Sequence, residues 1–216
     1  GDGQCVAVPD RPGSTVGGAL ALGSSGIRRL GWGPVRDTLL EATVVTAAGE
    51  VAVAGGPTVK NVSGFDLCRL LVGSLGTLAV VGEVVLRTRP LPAAERWLAG
   101  PVDPAEVAAA LHRPTAILWQ PTRSGGTISD DRPDIVGPER SGGKTWVLVG
   151  GHEVDVDAQA DVAAELGMAP SEPPALPPHR WSVPPAELRS LPGTGWVAEW
   201  GVGTVHHPEP KPRRPI

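Results

Sequence analysis

Apolar positions in the first ninety residues predict a β-hairpin, a short helix and a strand. From Thr43 the chain forms two β-branched runs on either side of Ala48 and Gly49, and glycine supplies the positive φ of a tight turn. In residues 65–74 apolar side chains recur at helical spacing until Gly73. Residues 77–87 are too rich in β-branched side chains for a comfortable helix, so they predict a strand.

The pattern changes after Pro90 and Pro92, which are expected to end that strand. We therefore predict one domain over residues 1–92, a second over 93–207 and a proline-rich tail over 208–216. The second domain is predicted to begin with a helix over 103–112, with Asp103 as N-cap and Pro104 as first residue. The elements predicted after it are a strand over 115–120, a polar loop over 122–143, a strand over 145–150, a helix over 155–166 and a strand pair within 195–206. This order predicts a small α+β fold, and the α+β class for the whole chain.

Composition excludes several kinds of function. The net charge is −4, and no basic face large enough for nucleic acid is present. No apolar run reaches the length of a membrane span. Cys5 and Cys68 lack metal-binding spacing and are interpreted as small buried hydrophobic residues, which fits a reducing, cytoplasmic setting.

Three glycine clusters carry the first candidate chemistry: residues 12–26, 55–64 and 73–78. Only glycine lets backbone N–H groups approach the oxygens of a pyrophosphate closely. A helix starting after Gly17 and Gly18 would direct its positive end at such a ligand. The alternative is that each cluster is a set of tight turns in a compact, glycine-rich β domain.

The succession of motifs over residues 12–92 resembles the FAD-linked oxidase family of the vanillyl-alcohol oxidase type. The motifs are STVGGALALGSSG, GPVRD, and KNVSGFDLCRLLVGSLGTLAVVGEVVLRTRPLP, and within the family they are similar to the E subunits of bacterial glycolate oxidases. The resemblance implies the second half of an FAD-binding domain followed by a cap-like domain. It also implies an FAD site lined by Thr15, Gly17, Gly18, Ser25, Gly26, Gly73, Gly76, Thr77 and Val80.

Other polar residues in the resembling region have structural explanations. Arg36 and Asp37 are interpreted as a surface turn with an ion pair. In the K-N-x-x-G-x-D pattern that starts at Lys60, Asn61 is a natural turn former and Asp66 a natural N-cap. The family usually has Tyr or Phe before that Asp, and the chain has Phe65 and no Tyr, so no tyrosine can serve as acid, base or flavin attachment.

The last predicted strands contain Gly201, Gly203 and His206, where a cap strand could approach a flavin ring. A histidine there could stabilise a substrate carboxylate or take a hydroxyl proton. The simpler interpretation is an exposed histidine at a strand end. The adjacent His206 and His207 would point to opposite faces of a strand, so no metal site is predicted.

The resemblance implies an FAD-dependent oxidoreductase that acts on a small 2-hydroxy acid such as glycolate or lactate, with the flavin accepting a hydride and other oxidase subunits as partners. The alternative is a non-catalytic assembly subunit of a glycolate-oxidase-like complex. The family has a further glycine-rich loop in an N-terminal half that would precede Gly1. We therefore expect the 216-residue chain to be a fragment that binds FAD weakly or not at all when purified alone.

Overall fold

The computed structural model describes residues 3–8, 13–57, 65–122 and 142–211. The chain divides into two compact units, Gly1–Leu91 and Pro92–Ile216. Helices and largely antiparallel sheets coexist in it, and the predicted α+β class is confirmed.

The first unit is built on a three-stranded antiparallel sheet with the order β3-β2-β4. A small second sheet pairs β1 with β5. The elements of this unit are β1 (Gln4–Val6), α1 (Val16–Leu22), α2 (Arg29–Trp32), a 3₁₀ turn (Val35–Asp37), β2 (Leu39–Thr46), β3 (Val51–Gly55), α3 (Leu67–Leu71), β4 (Ala79–Leu86) and β5 (Thr88–Pro90).

The predicted hairpin is confirmed as β2 and β3. Its turn is closed by the N–H of Thr46, which donates to the carbonyl of Glu50 at 2.9 Å. Gly49 has φ of +81° there, as the turn requires.

The predicted short helix and the strand after it are also confirmed. In α3, Oδ1 of Asp66 accepts the N–H of Arg69 at 3.1 Å, so Asp66 is the N-cap. Cys68 lies in this helix and is buried, as expected, whereas Cys5 is only half-buried. Burial, followed by the nearby carboxylates of Asp66 and Glu41, raises the pKa of the Cys68 thiol, which disfavours a reactive thiolate.

One face of the three-stranded sheet carries the core of the first unit. Leu20 of α1 and Leu71 of α3 pack there against alternate residues of β2 such as Ala42 and Val44. Burying a side chain such as Leu20 contributes about 2 kcal/mol. The opposite face holds four exposed valines, which we call the valine face: Val45, Val51, Val53 and Val80.

The second unit is a seven-stranded sheet with the order β10-β12-β11-β7-β8-β6-β9. All of the strand pairs in it are antiparallel. Its elements are β6 (Ala94–Gly100), α4 (Pro104–Ala110), β7 (Ala116–Pro121), β8 (Gly143–Gly151), α5 (Glu153–Glu165), β9 (Ala169–Pro170), β10 (His179–Ser182), a 3₁₀ turn (Pro185–Ser190), β11 (Val197–Glu199) and β12 (Thr204–His207).

Strand β7 explains why the second unit has its core at the centre of the sheet. Its residues from Ala116 to Trp119 form a continuous apolar run, and all four are at most 1% exposed. A strand buried on both faces has such a run rather than an alternating pattern. The helices α4 and α5 pack against β6, β7 and β8.

The predicted helices and strands of the second unit are confirmed, with ends shifted by one or two residues. Asp103 is the N-cap of α4 and Pro104 its first residue, as predicted. Three strands were not predicted: β6 follows the prolines that the prediction treated as a boundary, the two-residue β9 follows α5, and β10 follows a proline-rich stretch. Most of the predicted polar loop over 122–143 lies outside the described residues.

A proline-rich segment, residues 171–178, joins β9 and β10, which lie at opposite edges of the sheet. We call this segment the strap. Seven strands span about 29 Å at about 4.8 Å per gap, and the strap reaches about 28 Å at the polyproline II rise of about 3.1 Å per residue. Only every third residue of the strap is half-buried, namely Ser171, Pro174 and Pro177, and this is the period of a polyproline II helix.

Candidate functional site

Helix α1 begins earlier than the sequence predicted. Oγ1 of Thr15 accepts the N–H of Gly18 at 3.0 Å, so Thr15 is the N-cap and the helix starts at Val16. Gly17 and Gly18 therefore lie in the first turn, rather than before the helix. This hydrogen bond uses an acceptor site of the Thr15 hydroxyl, and the hydroxyl can still donate its own hydrogen.

The loop over residues 73–78 docks on the C-terminal end of α1. The N–H of Gly73 donates to the carbonyl of Leu20 at 2.9 Å, and the N–H of Leu75 to that of Ala21 at 2.8 Å. A Cβ on Gly23 would lie 3.3 Å from Cα of Gly73. The structure thus brings the first and third glycine clusters into direct contact.

No described residue gives Gly17 a structural reason to be glycine. It lies in a helix with an ordinary φ, and an added Cβ would meet no atom within 4 Å. Glycine in a helix costs about 0.5–1 kcal/mol relative to alanine. The open backbone of the exposed first turn is therefore a surface that a ligand could approach closely.

Gly73 and Gly76 also face open space, but both have positive φ, +85° and +74°. Their backbone conformation alone accounts for glycine at these positions. Leu75 between them has φ of +56°, which is uncommon for a residue with a side chain.

The hydroxyl groups of the predicted site have partners within the protein. Thr77 donates to the carbonyl of Ser74 at 2.6 Å. Oγ of the buried Ser25 accepts the N–H of Val35 at 3.0 Å. Ser25 and Gly26 together hold the turn into α2, since the Gly26 carbonyl accepts the N–H of Arg29. Thr77 thus has its hydrogen engaged, whereas the hydroxyl of Ser25 can still donate.

Val80 does not join the other predicted residues. It lies on β4 opposite Val45, on the valine face, while α1 packs on the other face of the same sheet. Successive side chains of a strand point to opposite faces, so Val80 points away from Thr15 and Gly17.

The remaining polar residues of the first unit have the predicted structural roles where they are described. Nε of Arg36 lies 3.8 Å from Oδ1 of Asp37, which is also bound by Arg69 at 3.2 Å. Phe65 is exposed. Lys60 and Asn61 lie outside the described residues.

The expectation that His206 is exposed at a strand end was wrong. His206 is 2% exposed, and its Nε2 lies 2.9 Å from Oε1 of Glu199, which is equally buried. Strand pairing explains this contact, because Val197 of β11 lies opposite His206 of β12 and Glu199 is two residues further along the same face. When the carboxylate is ionised, Nε2 must donate the hydrogen bond.

Arg180 completes a buried cluster on the second unit. It lies directly opposite His206 in the pairing of β10 with β12, and its guanidinium is 3.4 Å from Oε1 of Glu199. The second carboxylate oxygen, Oε2, has no hydrogen-bond partner among the described residues. More than nine in ten buried polar groups in proteins have a hydrogen-bond partner, so Oε2 is an exception among the described residues.

Glu199 and Arg180 were not among the residues selected from the sequence. The signal that could have found Glu199 is a carboxylate between Ala198 and Trp200 in a short apolar strand. Arg180 follows the strap and carried no comparable signal.

Within residues 3–8, 13–57, 65–122 and 142–211, no group of three or more His, Cys, Asp or Glu side chains is arranged to hold a metal ion. In the same ranges, no helix has the length and apolar character needed to cross a bilayer.

Curated proteins similar to this chain are oxidoreductases. D-lactate dehydrogenase of Archaeoglobus fulgidus is 42% identical over 88 residues, which are 39% of this chain and 20% of that protein. Glycolate oxidase subunit GlcE of Escherichia coli is 44% identical over 81 residues, 38% of this chain and 23% of that subunit. An FAD-linked oxidoreductase of Mycobacterium tuberculosis is 37% identical over 82 residues, 38% of this chain and 18% of that protein. This chain is homologous to FAD-linked oxidoreductases.

The predicted resemblance is thereby confirmed. The chain spans about one fifth of the length of these relatives. No family model matches the chain. Among solved structures, alkyldihydroxyacetonephosphate synthase is similar with a TM-score of 0.52 at 18% identity, over 78% of this chain and 37% of that one, which concerns the fold alone.

Proposed function

We propose that this chain is part of an FAD-dependent oxidoreductase that oxidises a small 2-hydroxy acid such as glycolate or lactate, together with other subunits. The relatives support the reaction class, because their names include D-lactate dehydrogenase and glycolate oxidase subunits. A bound flavin would supply the hydride-accepting chemistry, and the protein would position it and its substrate.

Gly17 is the observation that carries the proposal for this chain. Glycine lowers helix stability at this position and no described residue requires it, so a bound ligand best explains the absence of a side chain. The backbone N–H groups and the Thr15 hydroxyl beside it suit a phosphate group of FAD, and the docked loop over residues 73–78 lies against the other end of the same helix. Ser25, Gly26, Gly73, Gly76 and Thr77 line this region in the proposal. Gly18 follows Gly17 in the first turn, where an added Cβ would lie 3.0 Å from Oγ1 of Thr15.

The substitution Gly17→Ala separates ligand binding from stability. Alanine should raise the free energy of unfolding of the chain by about 0.5–1 kcal/mol, because it favours the helix. The same methyl group should block close approach of FAD. We expect protein purified from its own cells, with the polypeptides that accompany it, to lose FAD on this substitution as measured by flavin absorbance.

Gly82→Ala is the matched control. Gly82 also has an ordinary φ, and an added Cβ would come no closer than 3.6 Å to another group. FAD content should be unchanged in this variant. Full FAD content in Gly17→Ala protein would contradict the proposal.

A second candidate function is a non-catalytic assembly subunit. The similarity to a subunit of glycolate oxidase favours it, since a complex can contain a relative that does not react. Oxidation of glycolate and D-lactate by the complex distinguishes the two. Activity that persists when this chain carries Gly17→Ala and has lost its FAD supports the assembly role, whereas activity lost with the FAD supports the catalytic one.

A further inference from the structure

Helix α5 of the second unit has an outward face on which apolar side chains are exposed. The inward face of the helix packs against β6 and β8. On the outward face Val154, Ala158 and Val162 lie four residues apart, and we call them the apolar row. All three are exposed, Val154 to 68% and Val162 to 37%. Residues at this spacing form a continuous ridge on the surface of a helix.

Acidic side chains run alongside the apolar row. A second set of exposed residues on α5, also four apart, is entirely acidic: Glu153, Asp157, Asp161 and Glu165. Each member of the apolar row is followed three positions later by one of these acids, and residues three apart are neighbours on a helix surface. Residues 153–165 contain no Lys or Arg. Among the described residues, only Asp157 of the four acids forms an ion pair, with Arg96 of β6 at 2.7 Å.

The stability of the helix does not account for this arrangement. Glu153 suits the positive end of the helix, but Glu165 lies in the last turn, where a negative charge is unfavourable. Like charges four residues apart, as at Asp161 and Glu165, repel each other. Valine forms helices less readily than alanine, and an exposed valine gains little from burial. A partner that covers the apolar row and neutralises the acids explains both features.

The charge of this face restricts the partner. Nucleic acids and anionic lipid headgroups would be repelled by the acids, and α5 of a second copy of the chain would place acid against acid. The ridge formed by the apolar row fits the groove between side chains on another helix. A helix with apolar residues four apart and Lys or Arg beside them therefore complements both the shape and the charge of α5.

We propose that the outward face of α5 is a docking surface for a basic amphipathic helix of another polypeptide. The apolar row packs into the groove of that helix, and Asp161 and Glu165 pair with its Lys or Arg side chains. The surface lies on the second unit, away from the glycine clusters in sequence, and the proposal does not depend on flavin binding.

Crosslinking in the cells that produce the protein identifies the partner. The substitution Val154→p-benzoylphenylalanine places a photoreactive group on the apolar row of the intact chain. Leu176→p-benzoylphenylalanine is the control, because Leu176 is also exposed, to 36%, but lies on the strap. After irradiation, mass spectrometry should find one product specific to position 154. We expect its crosslinked segment to have apolar residues and Lys or Arg at helical spacing.

The binding of that segment, synthesised as a labelled peptide, would then be measured by fluorescence anisotropy. Asp161→Asn combined with Glu165→Gln should weaken binding at least about fivefold at low salt and less at high salt, because salt screens exposed charges. Val162→Ser should weaken binding about tenfold through lost apolar contact. Glu172→Gln combined with Glu187→Gln removes two exposed charges elsewhere and should leave the affinity unchanged.

Several results would overturn the proposal. They are the absence of a product specific to position 154, a product with nucleic acid, lipid or a second copy of the chain, and a peptide whose affinity is unaffected by the paired substitution on α5. Circular dichroism would check that each variant keeps its fold. Since no readout involves flavin, failure here is separate from a failure to retain FAD.

Discussion

Arg189 is the residue whose charge contributes most visibly to the second unit. Its guanidinium donates to both carboxylate oxygens of Asp103 at 2.7 Å and lies over the rings of Trp119 and Trp200, 5.8 and 4.8 Å from their centroids. It thereby ties the 3₁₀ turn at residues 185–190 to the N-cap of α4. Both hydrogen bonds come from one nitrogen, Nη2, and they are charge-assisted, which makes them stronger than neutral hydrogen bonds.

Burial by itself raises the pKa of the Asp103 carboxyl, but the hydrogen bonds from Arg189 and from the backbone of Ala105, with the positive charge of Arg189, outweigh it. The pKa of Asp103 is held below its ordinary value of 3.8. A carboxyl whose pKa is lower in the folded state stabilises the fold above its ordinary pKa. That contribution is lost as the pH falls through the lowered value.

The variant Asp103→Asn should show this contribution. Asparagine still caps α4 but loses the charge, so we expect a loss of about 1 kcal/mol in the free energy of unfolding near pH 7. The difference from the unaltered chain should shrink below about pH 3.8 and vanish at lower pH, as measured by urea unfolding. Asp161→Asn, on the exposed side of α5, is the control and should change little. A difference independent of pH would rule out the charge as its cause.

At the scale of elements, the strap shows how proline stabilises a long connection. Proline fixes φ near the polyproline II value, so the unfolded chain loses fewer conformations when the strap crosses the sheet. Its half-buried ridge at Ser171, Pro174 and Pro177 adds contacts to this entropic effect.

Substitution of two neighbouring prolines separates the entropic effect from the effect of the contacts. Pro174→Ala should lower the free energy of unfolding of the second unit by about 1–2 kcal/mol, because it loses both the restriction of φ and the contacts. Pro173→Ala, on an exposed ridge, should cost only about 0.4–1 kcal/mol. Thermal unfolding measures both. Equal losses would show that the strap makes no useful contact along its half-buried ridge.

At the scale of the whole molecule, each unit has its own core. The second unit has a complete sheet around β7, with Leu118, Val147 and Ala198 excluded from solvent. A polypeptide of residues 92–216 should therefore fold alone, with the circular dichroism of a sheet and a single cooperative unfolding transition. The unfolding curve of this polypeptide would be compared with that of the intact chain. A broad, uncooperative transition would contradict independent folding of the second unit.

The local elements were predictable because the residues that form them are close in sequence. Asp66 and Asp103 cap their helices through residues two or three positions away, and Gly49 closes a turn of adjacent residues. The continuous apolar run at β7 likewise indicates a strand buried on both faces. The order of the glycine clusters was enough to indicate the family, since homology leaves its pattern in the sequence.

The features that depend on strand pairing were not predictable. Whether Val80 points toward α1 or away from it follows from its register with Val45. Gly55 must be glycine because a Cβ would collide with the carbonyl of Leu40, which lies on the neighbouring strand.

The sequence by itself determined the helices α3, α4 and α5, most strands, the α+β class and the relationship to FAD-linked oxidoreductases. Propensity and capping act over short stretches of chain, and homology survives as a series of motifs. Only the tertiary structure decided that His206 is buried against Glu199 and that one oxygen of Glu199 is left without a partner. The physical reason is that burial and hydrogen bonding of these side chains depend on which strands lie side by side. β10, β11 and β12 become neighbours only when the whole sheet forms.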